Sequence, residues 1–324
     1  MTLSKPPLEV FEHKDPGGEL LRVYCCTPLS DPSALIYIAH GMGEHAGRYE
    51  PLMQQLAVAG FRVHANDHRG HGGSGPRLGD FGKDGWEQVL AGTREILLGL
   101  KRSNPGLPVI FLGHSMGAMI GQQYLERWPE DLDAVVLSGS PGQMPPILYT
   151  LLLKIIRFEC WRTDNAYSRL LRYLIFGASN QRFKKEGQKT GFEWLSRDHS
   201  EVAKYVRDPL CGTVPTSLSL QGLFMAEAEL WQRVPNLNRT EGFPIYLISG
   251  EDDPVHGNQG QLNRLIAWLQ RGGARIDADI YPSGRHEMLN DINRGEVTTK
   301  LMAWLTNLTR DLTRDLSNTR GNLS

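Results

Sequence analysis

The stretch PVIFLGHSMGAMIG, residues 108–121, decides the fold. Its first half, Val109-Ile110-Phe111-Leu112, is a short unbroken apolar run of β-branched and aromatic character, as a strand buried on both faces requires. From Met116 onward the residues are mostly small or straight-chained and suit a helix. Between the two lies Gly113-His114-Ser115-Met116-Gly117, a strand-to-helix turn so tight that Cβ atoms at its flanks would collide, which explains the two glycines. Ser115 Oγ then stands at a sheet end beside a helix N-terminus, where N–H groups and the helix dipole favour a developing oxyanion. A bare G-x-S-x-G also arises in loops, so a nucleophilic Ser115 needs a base, an acid and an oxyanion donor from elsewhere in the chain.

Upstream, residues 20–26 and 34–39 read as strands, the second the apolar run LIYIA, and it stops at His40-Gly41-Met42-Gly43-Glu44-His45. A glycine-rich turn after a central strand lets backbone N–H groups face a ligand and is the natural source of a second oxyanion donor; the plainer alternative is a tight strand-to-helix turn. Residues 49–59 are helical in pattern and 61–65 form a strand, completing a right-handed crossover unit. The loop that follows, residues 67–75, holds two decoys. Gly70, Gly72 and Gly75 fit a dinucleotide spacing, but Pro76 and more loop stand where a helix would open. His64, His68 and His71 lack a cysteine or carboxylate set to complete a metal site. Neither a cofactor nor a metal is expected.

Residues 86–100 form an amphipathic helix, the helix after Ser115 runs to about Arg127, and 134–138 is a strand, so the pattern is β-α-β throughout. It breaks at Ser140-Pro141-Gly142. From 143 to about 214 helical stretches predominate, beginning with the apolar run 147–158, whose only cations are Lys154 and Arg157. Such an insert reads as a helix packed in a local core or as a lipophilic cover over a site, touching a membrane surface transiently. The sheet resumes at 244–249 and ends in Gly250-Glu251-Asp252-Asp253; 262–269 is helix, 278–281 the last strand, and His286 sits in its loop. Serine, aspartate and histidine thus follow in the order expected of this architecture. Residues 296–308 form a packing helix, beyond which the polar repeat LTRDLTRDL is expected to fray.

The 324 residues carry 40% hydrophobic and 22% charged side chains and a net charge of -1, which gives no basic field for nucleic acid or for an anionic membrane held by charge alone. The four cysteines have no metal-like spacing, the first residues lack the pattern of a secretion signal, and no run is long enough to span a bilayer. A cytoplasmic setting is expected, in which the sequons at Asn238 and Asn307 are accidental. Nothing in the sequence sets an oligomeric state.

Together the motifs resemble those of the monoacylglycerol lipase and lysophospholipase branch of the α/β-hydrolase family: residues 40–49, 67–75 and 113–117, with a late insert segment from Leu195-Ser196-Arg197-Asp198 to Asp208-Pro209-Leu210. The resemblance implies a mostly parallel sheet flanked by helices, with core segments 1–140 and 216–308, a helical cap at 141–215 and a polar tail at 309–324. It further implies catalysis by Ser115, Asp253 and His286, an oxyanion hole from the Met42 and Met116 amides, and Glu44 and Arg48 beside a glycerol-like head group. Glu44 and Arg48 read equally well as an internal ion pair. Met42 stands where the animal monoacylglycerol lipases carry a smaller residue; only its N–H is needed. Asp252 competes with Asp253 by adjacency, and the offset from Gly250 favours Asp253. The expected activity is hydrolysis of single-acyl lipid esters, monoacylglycerols first. Lysophospholipids, general carboxylic esters, peptides and a non-catalytic binding role are the alternatives, and Ser115 excludes the carboxylate nucleophile of an epoxide hydrolase.

Overall fold

A computed structural model describes residues 6–75, 77–184, 189–237 and 242–321, with side chains to residue 313; Pro76 and the Asn238 sequon lie outside it. Eight strands, β1 (Leu8–Lys14), β2 (Leu20–Cys26), β3 (Ala34–Ala39), β4 (Phe61–Asn66), β5 (Val109–His114), β6 (Ala134–Ser138), β7 (Phe243–Gly250) and β8 (Ala274–Tyr281), form one sheet in the order β1-β2-β4-β3-β5-β6-β7-β8. The six from β3 to β8 run parallel, while β2 pairs antiparallel with both β1 and β4. Strands β3, β5, β6 and β7 are buried along their whole length, as near-continuous apolar runs should be.

The helices are α1 (Glu50–Val58), α2 (Gly85–Ser103), α3 (Met116–Arg127), α4 (Pro146–Arg162), α5 (Arg169–Arg172), α6 (His199–Arg207), α7 (Ser217–Leu230), α8 (Gln259–Arg271) and α9 (Arg294–Gly321). Alternate strand residues point to opposite faces, so each helix layer has its own core. Leu35, Tyr37, Phe111 and Leu247 pack with α2, α3 and α8. Ile36, Ile38, Leu112 and Ile248 pack with α1 and α9. The helices between β6 and β7 build a third cluster around Ile156, Phe176, Phe192, Trp194 and Tyr205, and α7 joins it to the sheet, since Leu220 belongs to this cluster and Leu223 and Leu230 to the sheet core.

Two features differ from the sequence expectation, and the loop after β4 agrees with it. β1 and the first half of β8 are additional strand, both on sheet edges with many exposed positions, where the apolar pattern is weak. The last helix does not fray after Leu308: α9 continues to Gly321, and Leu312 extends the stripe of Leu301, Leu305 and Leu308 by another turn. The loop with the dinucleotide-like spacing is followed by turns, and α2 opens only at Gly85. The only His/Cys/Asp/Glu group among the described residues close enough to share an ion is His45, Asp208 and Cys211, not the three histidines of that region.

Candidate active site

The loops after β3, β5, β7 and β8 leave the sheet at one edge, the carboxyl ends of its parallel strands, where open α/β sheets hold their ligands. Two close approaches require the turn after β5. A Cβ on Gly113 would lie 2.3 Å from the Gly117 carbonyl oxygen, and one on Gly117 only 2.0 Å from that of Ala39. Between them Ser115 adopts φ 54, ψ -114, a conformation rare for a side-chain-bearing residue. Its N–H bonds the Ser138 carbonyl at 2.9 Å, and its own carbonyl accepts from Ala118 and Met119 as α3 begins. Met116, the first residue of α3, has an N–H with no helical acceptor.

Ser115 lines a cavity of about 400 Å³ together with His286, Met42, Met116, Glu44, Glu227 and apolar residues of α4 and α7. His286 Nδ1 lies 3.0 Å from both carboxylate oxygens of Asp253. An ionised carboxylate only accepts, so Nδ1 carries the proton and Nε2 keeps its lone pair. Burial alone would raise the Asp253 carboxyl, but the facing His286 and the Val255 N–H hold it below its ordinary value. Burial likewise disfavours the His286 imidazolium, and the Asp253 carboxylate outweighs it, raising the imidazole above 6.5. Trp194 packs on this ring at 4.9 Å and His114 at 4.7 Å, centroid to centroid. Burial and the neighbouring His286 push His114 down to about 4, so it is neutral. Ser115 and His286 share the cavity wall but form no hydrogen bond with each other, an arrangement common in unliganded hydrolases.

Asp252, by contrast, turns its carboxylate to the exposed Arg182 guanidinium at 2.5 Å. Sequence adjacency could not separate the two aspartates, because the backbone sends their side chains to opposite surroundings.

The loop after β3 is held from several sides. His40 Nε2 accepts from the His68 N–H at 2.9 Å, which leaves Nδ1 as the donor to the Gly41 carbonyl at 2.8 Å. In a trans peptide C=O and N–H point opposite ways, so the Met42 N–H is directed away from His40; it has no acceptor among the described residues, and Met42 lines the cavity. Glu44 accepts from the Gly41 N–H at 2.6 Å and from the Tyr49 hydroxyl at 2.9 Å. His45 Nε2 meets Asp208 at 2.9 Å and ties this loop to the segment after α6.

Glu44 and Arg48 do come together, and a third residue joins them. Arg48 donates to Glu44 at 2.5 Å and, in a two-bond fork, to Glu287 at 2.8 and 2.7 Å. Burial opposes the charge of all three, yet the pairing wins: both carboxyls are held below 4.5 and the guanidinium well above its ordinary value. The Tyr205 ring covers Arg48 at 5.0 Å. Glu287 and Trp194 were not singled out from the sequence; the only hint for Glu287 is its place next to His286.

A family model, Hydrolase_4, described as serine aminopeptidase, S33, matches residues 30–293. A monoacylglycerol lipase of Mycolicibacterium smegmatis is 29% identical over 300 residues, 89% of this chain and 94% of that one. The monoglyceride lipase of Rattus norvegicus is 30% identical over 251 residues, 75% and 73% of the two chains. A thermostable carboxyl esterase from Bacillus coagulans, solved with glycerol, superposes with a TM-score of 0.82 at 27% identity, covering 93% of this chain and 99% of the other. The chain belongs to the Hydrolase_4 family of α/β-hydrolases, in its monoglyceride lipase branch, and is a carboxylic ester hydrolase.

Proposed function

We propose that this hydrolase cleaves esters of a single acyl chain on a small polar alcohol, monoacylglycerols first, through an acyl-enzyme on Ser115. The observation that carries the reading is the shared cavity: Ser115 and His286 face it together, with His286 backed by the ionised Asp253. In the proposed reaction Ser115 Oγ attacks the ester carbonyl while His286 Nε2 accepts its proton and then passes it to the leaving alcohol. Asp253 fixes the tautomer and stabilises the imidazolium. The tetrahedral oxyanion accepts from the Met42 and Met116 N–H groups, each worth ~3 kcal/mol in comparable sites. Water then releases the acid by the same steps.

The substrate class follows from how polarity divides around Ser115. One wall carries Glu44 and Glu287, which Arg48 bridges from outside the cavity; the remainder is mostly Met119, Met144, Leu152, Leu174, Phe176 and Phe224, which suits an acyl tail. With both carboxylates committed to Arg48, these two acids serve as a scaffold rather than as free partners for a head group. For the same reason neither Glu44 nor Glu287 is an unpaired carboxylate for the α-amino group of a peptide. The insert 141–215 acts as the cover. On α4, Ile147 and Trp161 are each 79% exposed and Leu151 and Phe158 more than half exposed, with Lys154 and Arg157 on the same helix. That face supports transient contact with a lipid surface. Among the described residues no helix is long and apolar enough to cross a membrane.

A serine-directed phosphonate tests the reading, with Ser115→Ala as control. Labelling is expected in the parent protein alone, and kcat/KM is expected to be higher for monolauroylglycerol than for lauroyl lysophosphatidylcholine. Labelling of Ser115→Ala, or turnover confined to short soluble esters, counts against it.

A further inference from the structure

Two polar groups in the cavity lining have no part in ester cleavage. Glu227, on α7, is 3% exposed, and its Oε2 accepts from Gln123 Nε2 at 3.2 Å. The Gln123 carbonyl oxygen accepts from Trp86 Nε1 at 2.9 Å, so the Gln123 amide is fixed with its nitrogen towards Glu227. Glu227 Oε1 has no partner and the carboxyl no cation among the described residues, and Glu227 lines the cavity. Burial pushes this carboxyl up to about 8, so at neutral pH it is mostly protonated and both donates and accepts.

The Tyr149 ring of α4 packs edge-on against Phe224, 6.1 Å between centroids, and Phe224 lies three residues before Glu227 on α7. The Tyr149 hydroxyl is buried without a partner and lies within electrostatic reach of Glu227. The position of this pair relative to the nucleophile follows from α3. Gln123 is two turns beyond Ser115, a rise of about 12 Å. A plain hydrocarbon tail reaching that depth leaves both groups unsatisfied, whereas an oxygen on the tail satisfies them.

We propose that Glu227 and Tyr149 form a subsite for a hydroxyl on the acyl chain, so that the preferred esters carry hydroxylated acyl groups with the oxygen about 12 Å from the ester carbonyl. This rests on the ester-hydrolase reading and deepens it: the subsite hydroxyl accepts from the Glu227 carboxyl and exchanges a hydrogen bond with Tyr149, while a hydroxyl elsewhere along the tail meets a mostly apolar wall.

The test is a series of monolauroylglycerols with one hydroxyl moved carbon by carbon to the ω end, each compared by kcat/KM with the plain ester. A preference of about tenfold is expected at one or two neighbouring positions and a penalty elsewhere. Glu227→Leu is expected to flatten the profile, Tyr149→Phe to lower its peak, and Glu227→Gln, which keeps a donor and an acceptor, to retain it. A plain chain turned over with no favoured hydroxyl position overturns the subsite alone, as does a profile unchanged in Glu227→Leu. Absence of turnover for every member, with Ser115 unlabelled by the phosphonate, overturns the ester reading as well.

Discussion

Replacing Arg48 by leucine separates scaffold from substrate contact in the charged wall. The guanidinium makes three charge-assisted bonds of 2.5, 2.8 and 2.7 Å to Glu44 and Glu287, both at most 5% exposed. Arg48→Leu keeps most of the volume but leaves two carboxylates buried without a cation. Breaking a buried pair in this way costs about 3–5 kcal/mol. The pH dependence changes sign. In the parent protein both carboxyls sit below their ordinary 4.5, so their stabilisation is present above pH 4.5 and is lost as pH falls through the lower folded values. In Arg48→Leu the cation no longer offsets burial, and the neutral donors that remain are weaker: the Gly41 N–H and the Tyr49 hydroxyl on Glu44, and the Asn290 amide on Glu287. The folded values therefore rise above 4.5, and stability declines as pH rises from there. Urea unfolding followed by tryptophan fluorescence therefore shows a deficit of about 3–5 kcal/mol at pH 8 that shrinks towards pH 5, and Glu287→Gln in the same background recovers part of it. A deficit below about 1 kcal/mol, or one independent of pH, refutes the scaffold argument. Normal stability with KM raised for glycerol esters but not for methyl esters assigns Arg48 to the head group instead.

The two aspartates diverge on amidation: Asp253→Asn lowers kcat by about 10⁴ through the wrong imidazole tautomer, while Asp252→Asn stays near the parent rate; the reverse order refutes the triad assignment. In the proposed mechanism the neutral form of His286 is the base, so kcat/KM falls as pH drops through an inflection above 6.5, which Asp253→Asn moves downward; a parent inflection at or below 6.5 contradicts this. Gly117→Ala drives a methyl to 2.0 Å from the Ala39 carbonyl oxygen and is expected to abolish soluble expression or to yield a protein of sharply lower thermal midpoint. Ile147→Glu with Trp161→Glu reduces co-sedimentation with lipid vesicles while turnover of a short soluble ester is unchanged, and equal sedimentation of both proteins argues against the α4 contact.

The parts of the fold legible in the sequence are those where burial is two-sided. ALIYIA, VIFLGH, AVVLS and FPIYLISG are strands that nothing but a covered sheet accommodates, and their spacing orders the loops at one edge. LEVFEHK pairs as β1 mainly through its backbone, with most side chains in solvent, so no apolar period announces it. The ARID half of β8 turns Ala274 and Ile276 to the core and Arg275 and Asp277 to solvent, and two half-buried apolar residues are too few to announce a strand. Within the site, residues named by loop order and motif are brought to a common edge, but partners 239 residues apart are not. Glu287 meets Arg48 only because β3 and β8 end on the same side of the sheet, and Trp194 meets His286 only through the insert's own core.

The strain at Ser115 and the orientation of the two proposed oxyanion donors have a common origin. A residue with φ 54 and a side chain costs of order 1–3 kcal/mol, and it persists here because its surroundings leave no alternative. Its N–H is taken by β6, its carbonyl starts α3, and the Gly113–Gly117 contact with Ala39 closes the turn from below. The other donor peptide, between Gly41 and Met42, is fixed by groups outside that turn: His40 through its carbonyl and Glu44 through the preceding N–H. The acceptor half of the His40 anchor, Nε2 taking the His68 N–H, requires a neutral ring, and burial with the neighbouring His71 keeps it so, well below 6.5. Of the three histidines that resemble a metal set in the sequence, His68 and His71 pack as uncharged rings on His40 beneath the proposed oxyanion loop, while His64 lies in β4. With each donor anchored separately, the developing charge would meet dipoles already in place, and no reorganisation would be required as the tetrahedral state forms.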